Sequence, residues 1–425
     1  METAVRVYVD LDGEPMFAGR LWARSRRGRE TASFEYDPDW LARRDRFALQ
    51  PALPPALAPG PGQFQTAPGR ALFAALSDSA PDRWGRVLMR RAERRRAERA
   101  GETPRTLREI DYLLLVNDAA RQGALRFATD PEGPFLAAGD SATIPPLVDL
   151  PRLLSAADHV DDARDSDEDL RLLLAPGSSL GGARPKASVL DHDGHLAIAK
   201  FPHSNDEIDV MRWEAVALAL ATSAGIEVAA HRLELVAGRP VLVLRRFDRG
   251  TGARIPFLSA MSMLDAQDNE RRSYLEFVDV LRQHGAAPVE DMHALWRRIV
   301  FMILISNTDD HLRNHGFLYD GLAGWRLSPA YDLNPVPTDI SPRNLTTGIT
   351  DQDDRASLEV AMEAAEYFDL SREEARVIAG EVGQAVGNWR AVAGRLGIPE
   401  GGINRMASAF EHQDLDQACA CDARS

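Results

Sequence analysis

Val5, Val7 and Val9 alternate with polar neighbours at the start of the chain, the period-two pattern of a half-buried strand. Asp12-Gly13 follows as a turn signal, and Met16 to Ala23 returns as a second strand. A third strand is predicted around Ala32 to Tyr36. Pro51, Pro54, Pro55, Pro59 and Pro61 then mark a stiff connector, because proline lacks the N–H that a helix interior needs. From Ala71 to Ala100 the pattern turns helical, with a break at Pro81, and another helix is expected from Thr106 to Leu115. Gly123 to Phe127 reads as a short buried strand. The pattern changes at an acidic stretch spanning 161–169. Beyond it come a glycine-rich segment, alternating strands and helices, and a long helical tail from about Ser357 to His412. The period-two front and helical back predict an α/β (α+β) chain with its first domain over 1–160 and its second over 161–425.

Composition narrows the class. The 425 residues are too many for one compact core, and 44% of them are apolar, enough for a sizeable interior. No apolar run approaches the roughly eighteen residues of a membrane span, and the first ten residues lack a signal-peptide pattern. Only two cysteines occur, Cys419 and Cys421, in a polar tail that reads as a frayed terminus. A disulfide scaffold is excluded, and a cytoplasmic location is expected. The net charge of −14 argues against nucleic-acid binding by the whole surface. Arg83, Arg86, Arg90, Arg91, Arg94, Arg95, Arg96 and Arg99 are a local exception: they read as a solvated helix face, with a phosphate-contacting role as the alternative.

Five segments carry candidate chemistry. Gly177 to Lys186 is glycine-rich, and glycines let backbone N–H groups approach a polyphosphate, although a plain turn has the same composition. His195 to Lys200 is a strand pattern ending on a lysine that could pair with phosphate oxygens. Glu214, on a helix expected over Ile208 to Ala224, could hold that lysine in place; the alternative is a solvent-facing residue. Val241 to Leu244 is a buried strand leading into Arg246-Phe247-Asp248. Its polar end suits a hinge against adenine with Asp248 on the ribose, or else a salt bridge from Asp248 to a neighbouring arginine.

The fourth and fifth follow an apolar run, Ile299 to Ile305. Asp309 and Asn314 stand at Asp-x₄-Asn spacing, as in a kinase catalytic loop, where a carboxylate accepts the proton of the attacking hydroxyl and an amide oxygen a short loop away binds Mg²⁺. Asp310 fails this spacing. His311 is a candidate for touching phosphate or orienting the base. A strand at Trp325 to Leu327 then delivers Asp332, a second Mg²⁺ ligand, followed by Leu333-Asn334-Pro335 where kinases carry Phe-Gly. The order of these motifs predicts an ATP- and Mg²⁺-dependent kinase.

Gly123-Ala124-Leu125-Arg126-Phe127, Ser179 to Lys186, Arg246 to Arg249, Asn307 to His311 with Asn314, and Tyr331-Asp332 together resemble the HipA toxin kinases. The resemblance implies a bilobal protein-kinase-like fold and a serine/threonine kinase acting as the toxin of a type II toxin–antitoxin module. It implies a HipB-like DNA-binding antitoxin as partner, contact with DNA only through that antitoxin, no membrane, and a protein substrate such as an aminoacyl-tRNA synthetase. By the same match, Ser179 (with Ser178 as fallback) is an autophosphorylation site. Ser179, Gly181, Gly182, Ala183, Lys186, Lys200, Arg246, Phe247, Asp248 and His311 form the ATP site. Asp309 is the base, and Asn314 and Asp332 hold Mg²⁺. The Asp-x-His-x-x-Asn pattern from Asp309 to Asn314 also resembles small-molecule kinases of the aminoglycoside or choline type. A pseudokinase that only binds an antitoxin–DNA complex is the non-enzymatic alternative.

Overall fold

A computed structural model describes residues 2–51, 57–138, 144–174, 184–250 and 252–422. The chain forms two compact units, residues 1–205 with 234–258, and residues 206–233 with 259–425. This division differs from a boundary at 160/161, because strands beyond that point share a core with helices before it.

In the first unit, β1 (Glu2–Leu11), β2 (Glu14–Arg26), β3 (Arg29–Tyr36), β4 (Gln63–Gln65) and β5 (Leu125–Ala128) make one antiparallel sheet in the order β4-β3-β2-β1-β5. Asp12 and Gly13 both take positive φ in the β1–β2 turn, the conformation that an Asp-Gly pair tolerates at low cost. Val5, Val7 and Val9 are buried as their alternation predicts. A bulge between Val7 and Tyr8 then shifts the β1–β2 register.

A second sheet in this unit contains β6 (Lys186–Leu190), β7 (Leu196–Lys200) and β9 (Arg239–Arg245), antiparallel across β7. The strand β8 (His231–Val236) flanks β9, and its Glu234–Val236 end belongs to the unit. Val189, Ala197, Ala199, Val241 and Val243 face a common core with Trp84, Leu88, Leu153, Leu154 and Leu170, which come from three helices. The helical stretch expected over Ala71–Ala100 with a break at Pro81 is two helices, Ala74–Ser77 and Arg83–Ala100. The second starts at Asp82, whose carboxylate accepts from Gly85 N at 2.8 Å and caps it.

The second unit is mostly helical. The Pro288–Leu304 helix is buried on nearly every face over Leu295 to Leu304, as its apolar run requires. Trp296 donates its indole N–H to Ala361 O at 3.0 Å, which fixes the helix against the next segment. Trp213, Trp389 and Phe410 form an aromatic cluster, the last two stacked at 4.6 Å.

The tail is not one long helical run. It consists of shorter helices, including Leu358–Glu363, Arg372–Gly387, Trp389–Arg395 and Glu400–Arg405, with breaks at the positive-φ residues Asp369 and Gly397. The frayed terminus expected around the cysteines is also corrected. Cys419 and Cys421 lie in the Gln413–Asp422 helix, which packs on Arg372–Gly387, and Ala418 is fully buried. Gly383 permits that approach: a Cβ there would meet the Ala418 carbonyl carbon and the Cys419 nitrogen at 2.8 Å. Gly383→Ala is therefore expected to destabilise the protein by about 1–3 kcal/mol, measured by urea unfolding.

Candidate active site

The second unit gathers the predicted acidic residues. After the Pro288–Leu304 helix the chain turns sharply at Ser306, which takes a left-handed φ of 51° and anchors its hydroxyl to Ala409 O at 2.8 Å. Asn307 accepts from Asn334 N at 3.4 Å, which ties the start of the loop to the segment just after Asp332. Asp309 then stands exposed, while Asp310 is completely buried. The two adjacent carboxylates have different work. Asp310 Oδ2 accepts from Tyr274 OH at 2.5 Å, and its Oδ1 accepts from Thr346 N at 2.7 Å and Thr347 N at 3.4 Å. Burial pushes the Asp310 carboxyl up to about 7, against these donors, which favour the ionised form. A carboxylate so enclosed is not placed to meet an incoming hydroxyl. Of the two adjacent carboxylates, Asp309 is the one open to solvent.

A 3₁₀ turn over Leu312–Asn314 brings Asn314 back to the loop, where its Nδ2 donates to Asp309 O at 2.8 Å. That bond orients the amide and commits its nitrogen, leaving Oδ1 as the atom suited to a cation. The hairpin of Gly316–Tyr319 and Trp325–Leu327 returns the chain to Asp332, and Tyr331 OH donates to Arg313 O at 2.8 Å on the way. Asp332 has a φ of 57°, an uncommon conformation for a non-glycine residue, and is half-buried. Asn334 Nδ2 donates to Asp332 O at 3.2 Å and reaches its Oδ1 at 3.5 Å. Desolvation by the surrounding loop raises the pKa of Asp309; His311 opposes this, and the nearby charge of Asp332 adds to it. The Asn314 amide oxygen and the Asp332 carboxylate are hard oxygen donors, the kind that fits Mg²⁺, and Asp309 lies close enough to Asp332 to feel its charge. His311 is half-buried in the same loop, and its Nδ1 is buried without a hydrogen-bond partner among the described residues.

Beneath the loop is a cavity of about 10 Å³, bordered by Arg298, Asp310, Asn314 and His315 among others. Arg298 donates to Ser328 O at 2.6 Å, and burial pushes His315 down to about 3, so it is neutral at physiological pH.

Residues 178–389 match the HipA-like C-terminal domain, and residues 9–113 match the HipA N-terminal domain. The chain belongs to the HipA family. Two curated relatives are named "Putative kinase Y4mE", from Sinorhizobium fredii, and "Putative kinase", from Haemophilus influenzae. They are 30% identical over 193 residues and 26% over 187 residues, which is 39% and 38% of this chain. The matches span about half the length of those relatives, 44% and 54%. The solved Shewanella oneidensis MR-1 HipA, described in complex with HipB and its operator DNA, is similar over 98% of this chain and 97% of its own at 16% identity, with a TM-score of 0.65. The fold is the mixed α/β, kinase-like fold of HipA.

In this HipA-family chain the remaining predicted residues divide between the units. Ser178, Ser179, Gly181, Gly182 and Ala183 lie outside the described residues. Lys200 ends β7 in the first unit, directly across from Lys186 in the β6–β7 register. Lys186 is buried, with its Nζ 3.1 Å from Asp82 Oδ2, so the ammonium expected at ATP also holds a helix cap. Glu214 belongs to the second unit and is only 1% exposed, which removes its solvent-facing reading.

Asp248 takes the salt-bridge alternative. Its carboxylate is buried, accepts from Arg246 Nε at 2.8 Å, Arg249 at 2.7 Å and Gly123 N at 2.8 Å, and is not open to a ribose. The backbone of β5's approach is thereby stapled to the end of β9. Phe247 packs on Phe257 with ring centroids 6.2 Å apart.

The basic stretch is the Arg83–Ala100 helix. Arg86, Arg91, Arg95, Arg96 and Arg99 find carboxylate partners, while exposed Arg83, Arg90 and Arg94 have none among the described residues. No helix among the described residues is long and apolar enough to cross a membrane. Sequence reasoning missed Tyr274, Thr346 and Thr347, since each lies some 36 residues from Asp310 and carries no local motif.

Proposed function

We propose that this chain is an ATP- and Mg²⁺-dependent serine/threonine protein kinase, the toxin of a type II toxin–antitoxin module. The observation that carries the reading is the exposed Asp309 carboxylate, near the charge of Asp332, on a loop whose backbone is tied by Asn314 and whose neighbouring aspartate is buried. Asp309 orients the substrate hydroxyl and accepts its proton as the phosphoryl group is transferred. Asn314 Oδ1 and Asp332 are the residues that would hold Mg²⁺. When bound, the ion neutralises charge on the nucleotide phosphates. Lys200 is assigned to the phosphates, and the glycine-rich segment to the ATP site.

Ser179, or Ser178 beside it, is the proposed autophosphorylation site. A phosphate there adds close to two negative charges where ATP phosphates are expected, so modification switches the enzyme off. Ser179→Asp should accordingly weaken ATP binding by at least tenfold in a calorimetric titration; unchanged affinity would count against this regulation. The partner is proposed to be a HipB-like antitoxin, in keeping with the Shewanella oneidensis complex, with DNA reached only through it. The substrate is proposed to be a translation component such as an aminoacyl-tRNA synthetase, and the location cytoplasmic.

The test is incubation of dephosphorylated protein with γ-labelled ATP and Mg²⁺, followed by mass spectrometry of intact chain and peptides. Label on Ser179 or Ser178 that is absent in Asp309→Ala supports the reading. ATP binding with no label on the protein redirects it to a small-molecule kinase or a pseudokinase.

A further inference from the structure

We propose that Tyr274, Thr346 and Thr347 are positioning residues for Asp309, acting through the residues on either side of it. The proposal rests on the kinase reading above and deepens it. Thr346 binds the residue before Asp309: its N and Oγ1 donate to Thr308 O at 3.2 and 2.9 Å. Both threonines bind the residue after it. Thr346 N and Thr347 N donate to Asp310 Oδ1, and Thr347 Oγ1 donates to Asp310 O at 2.7 Å. Asp309 is thus the one exposed residue in a stretch of three, and the residues on either side of it are tied to the Thr346-Thr347 pair, Thr308 by Thr346 and Asp310 by both.

The strap is itself anchored. Gly348 N donates to Arg272 O at 2.9 Å, and Tyr274 N donates to Gly348 O at 2.9 Å. Tyr274 then closes the ring, with its hydroxyl 2.5 Å from Asp310 Oδ2 and 3.1 Å from His315 Nε2. The tyrosine ring lies edge-on to Phe277 and His315, with centroids 5.2 and 5.3 Å away, so its hydroxyl has little freedom to leave. Two segments far apart in sequence, 272–274 and 346–348, thus converge on the residues that bracket the base, the first on the Asp310 side chain and the second on both Thr308 and Asp310.

The physical consequence is preorganisation. An exposed carboxylate on an unpinned loop would sample many directions, and misplacement by about 1 Å can cost about a hundredfold in rate. Burying the Asp310 carboxylate is unfavourable unless its acceptors are filled, and here they are filled by donors that fix the base-bearing peptide. None of the three residues is argued to touch substrate.

The test separates positioning from folding. Tyr274→Phe removes one hydroxyl and keeps the ring; Thr347→Val removes one hydroxyl; Thr347→Ser keeps it. Rates of label transfer in dephosphorylated protein at saturating ATP and Mg²⁺ are measured beside ATP affinity and thermal unfolding. The expected result is a 10- to 100-fold slower transfer in Tyr274→Phe and Thr347→Val, ATP affinity within twofold of wild type, and recovery in Thr347→Ser. Wild-type transfer rates in both deletion variants would overturn the proposal. So would losses that track ATP affinity and unfolding temperature, since those follow from general loosening. If Thr347→Val does not fold, Tyr274→Phe decides the matter. If wild-type protein transfers no phosphate, the kinase reading fails and takes the positioning role with it; if wild type is active and the variants are equally active, only the positioning role fails.

Discussion

Asp309→Asn should slow phosphoryl transfer by about 10²–10⁴-fold, the usual contribution of a positioned general base, while leaving the fold intact. The side chain is exposed and makes no hydrogen bond among the described residues, so its replacement removes no packing and no buried partner. The asparagine also lacks the charge that opposes Asp332, so thermal stability should be unchanged or slightly higher. Asp310→Asn gives the contrasting outcome. Its carboxylate accepts from Tyr274, Thr346 and Thr347 in a fully buried site; a neutral amide oxygen accepts more weakly from the two threonine N–H groups, and the amide NH₂ turned toward Tyr274 forces its hydroxyl to stop donating there. Stability should fall there together with activity. Transfer rates and thermal melts of the two variants, run side by side, check the assignment. A normally active Asp309→Asn would refute it.

Asp248→Ala should destabilise the protein by about 3–5 kcal/mol, the cost of leaving a buried charge without its partner. Arg246 is buried and Arg249 nearly so in side-chain terms, with exposures of 1% and 11% beside 5% for Asp248. Other N–H groups of Arg246 already point to backbone carbonyls of Ala120 and Arg121, so neither arginine can swing to water without breaking the β5 attachment. Burial pushes the Asp248 carboxyl up, but Arg246, Arg249 and the Gly123 N–H outweigh it and hold the group well below the usual carboxylate range. For such a depressed group the stabilisation is fully present above the unfolded value, about 4, and is lost as pH falls below it. The stability gap between wild type and Asp248→Ala should therefore be constant from pH 5 to 7 and shrink toward pH 3. Urea unfolding across that range measures it, and a gap below 1 kcal/mol at pH 7 would contradict the burial argument.

Local features are legible in the chain itself. The alternating valines and the Asp-Gly turn specify the first hairpin, because side-chain period and turn conformation depend only on neighbouring residues. The apolar run before Ser306 and the Asp-x₄-Asn spacing locate the candidate catalytic loop for the same reason. Misreadings come where a local pattern has a distant partner. Cys419 and Cys421 sit among polar residues, and the helix that carries Gly383, more than thirty residues earlier, gives their helix a surface to dock on. The ion pair of Lys186 is likewise not visible in its local pattern, since its partner Asp82 lies 104 residues upstream. Arg246-Phe247-Asp248 suits a hinge or a salt bridge equally well, and burial of the carboxylate distinguishes them.

The sequence by itself determined the family and the order of the candidate motifs, and it singled out Asp309 as the candidate base, all of which reside in residue type and short spacing. Tertiary structure alone decided which of two adjacent aspartates is exposed, what surrounds the other, and where the arginine-rich helix finds its carboxylates. Those properties arise from contacts between residues tens to a hundred positions apart. Spacing along the chain does not encode them, because burial and hydrogen-bond partners exist only once the segments have packed.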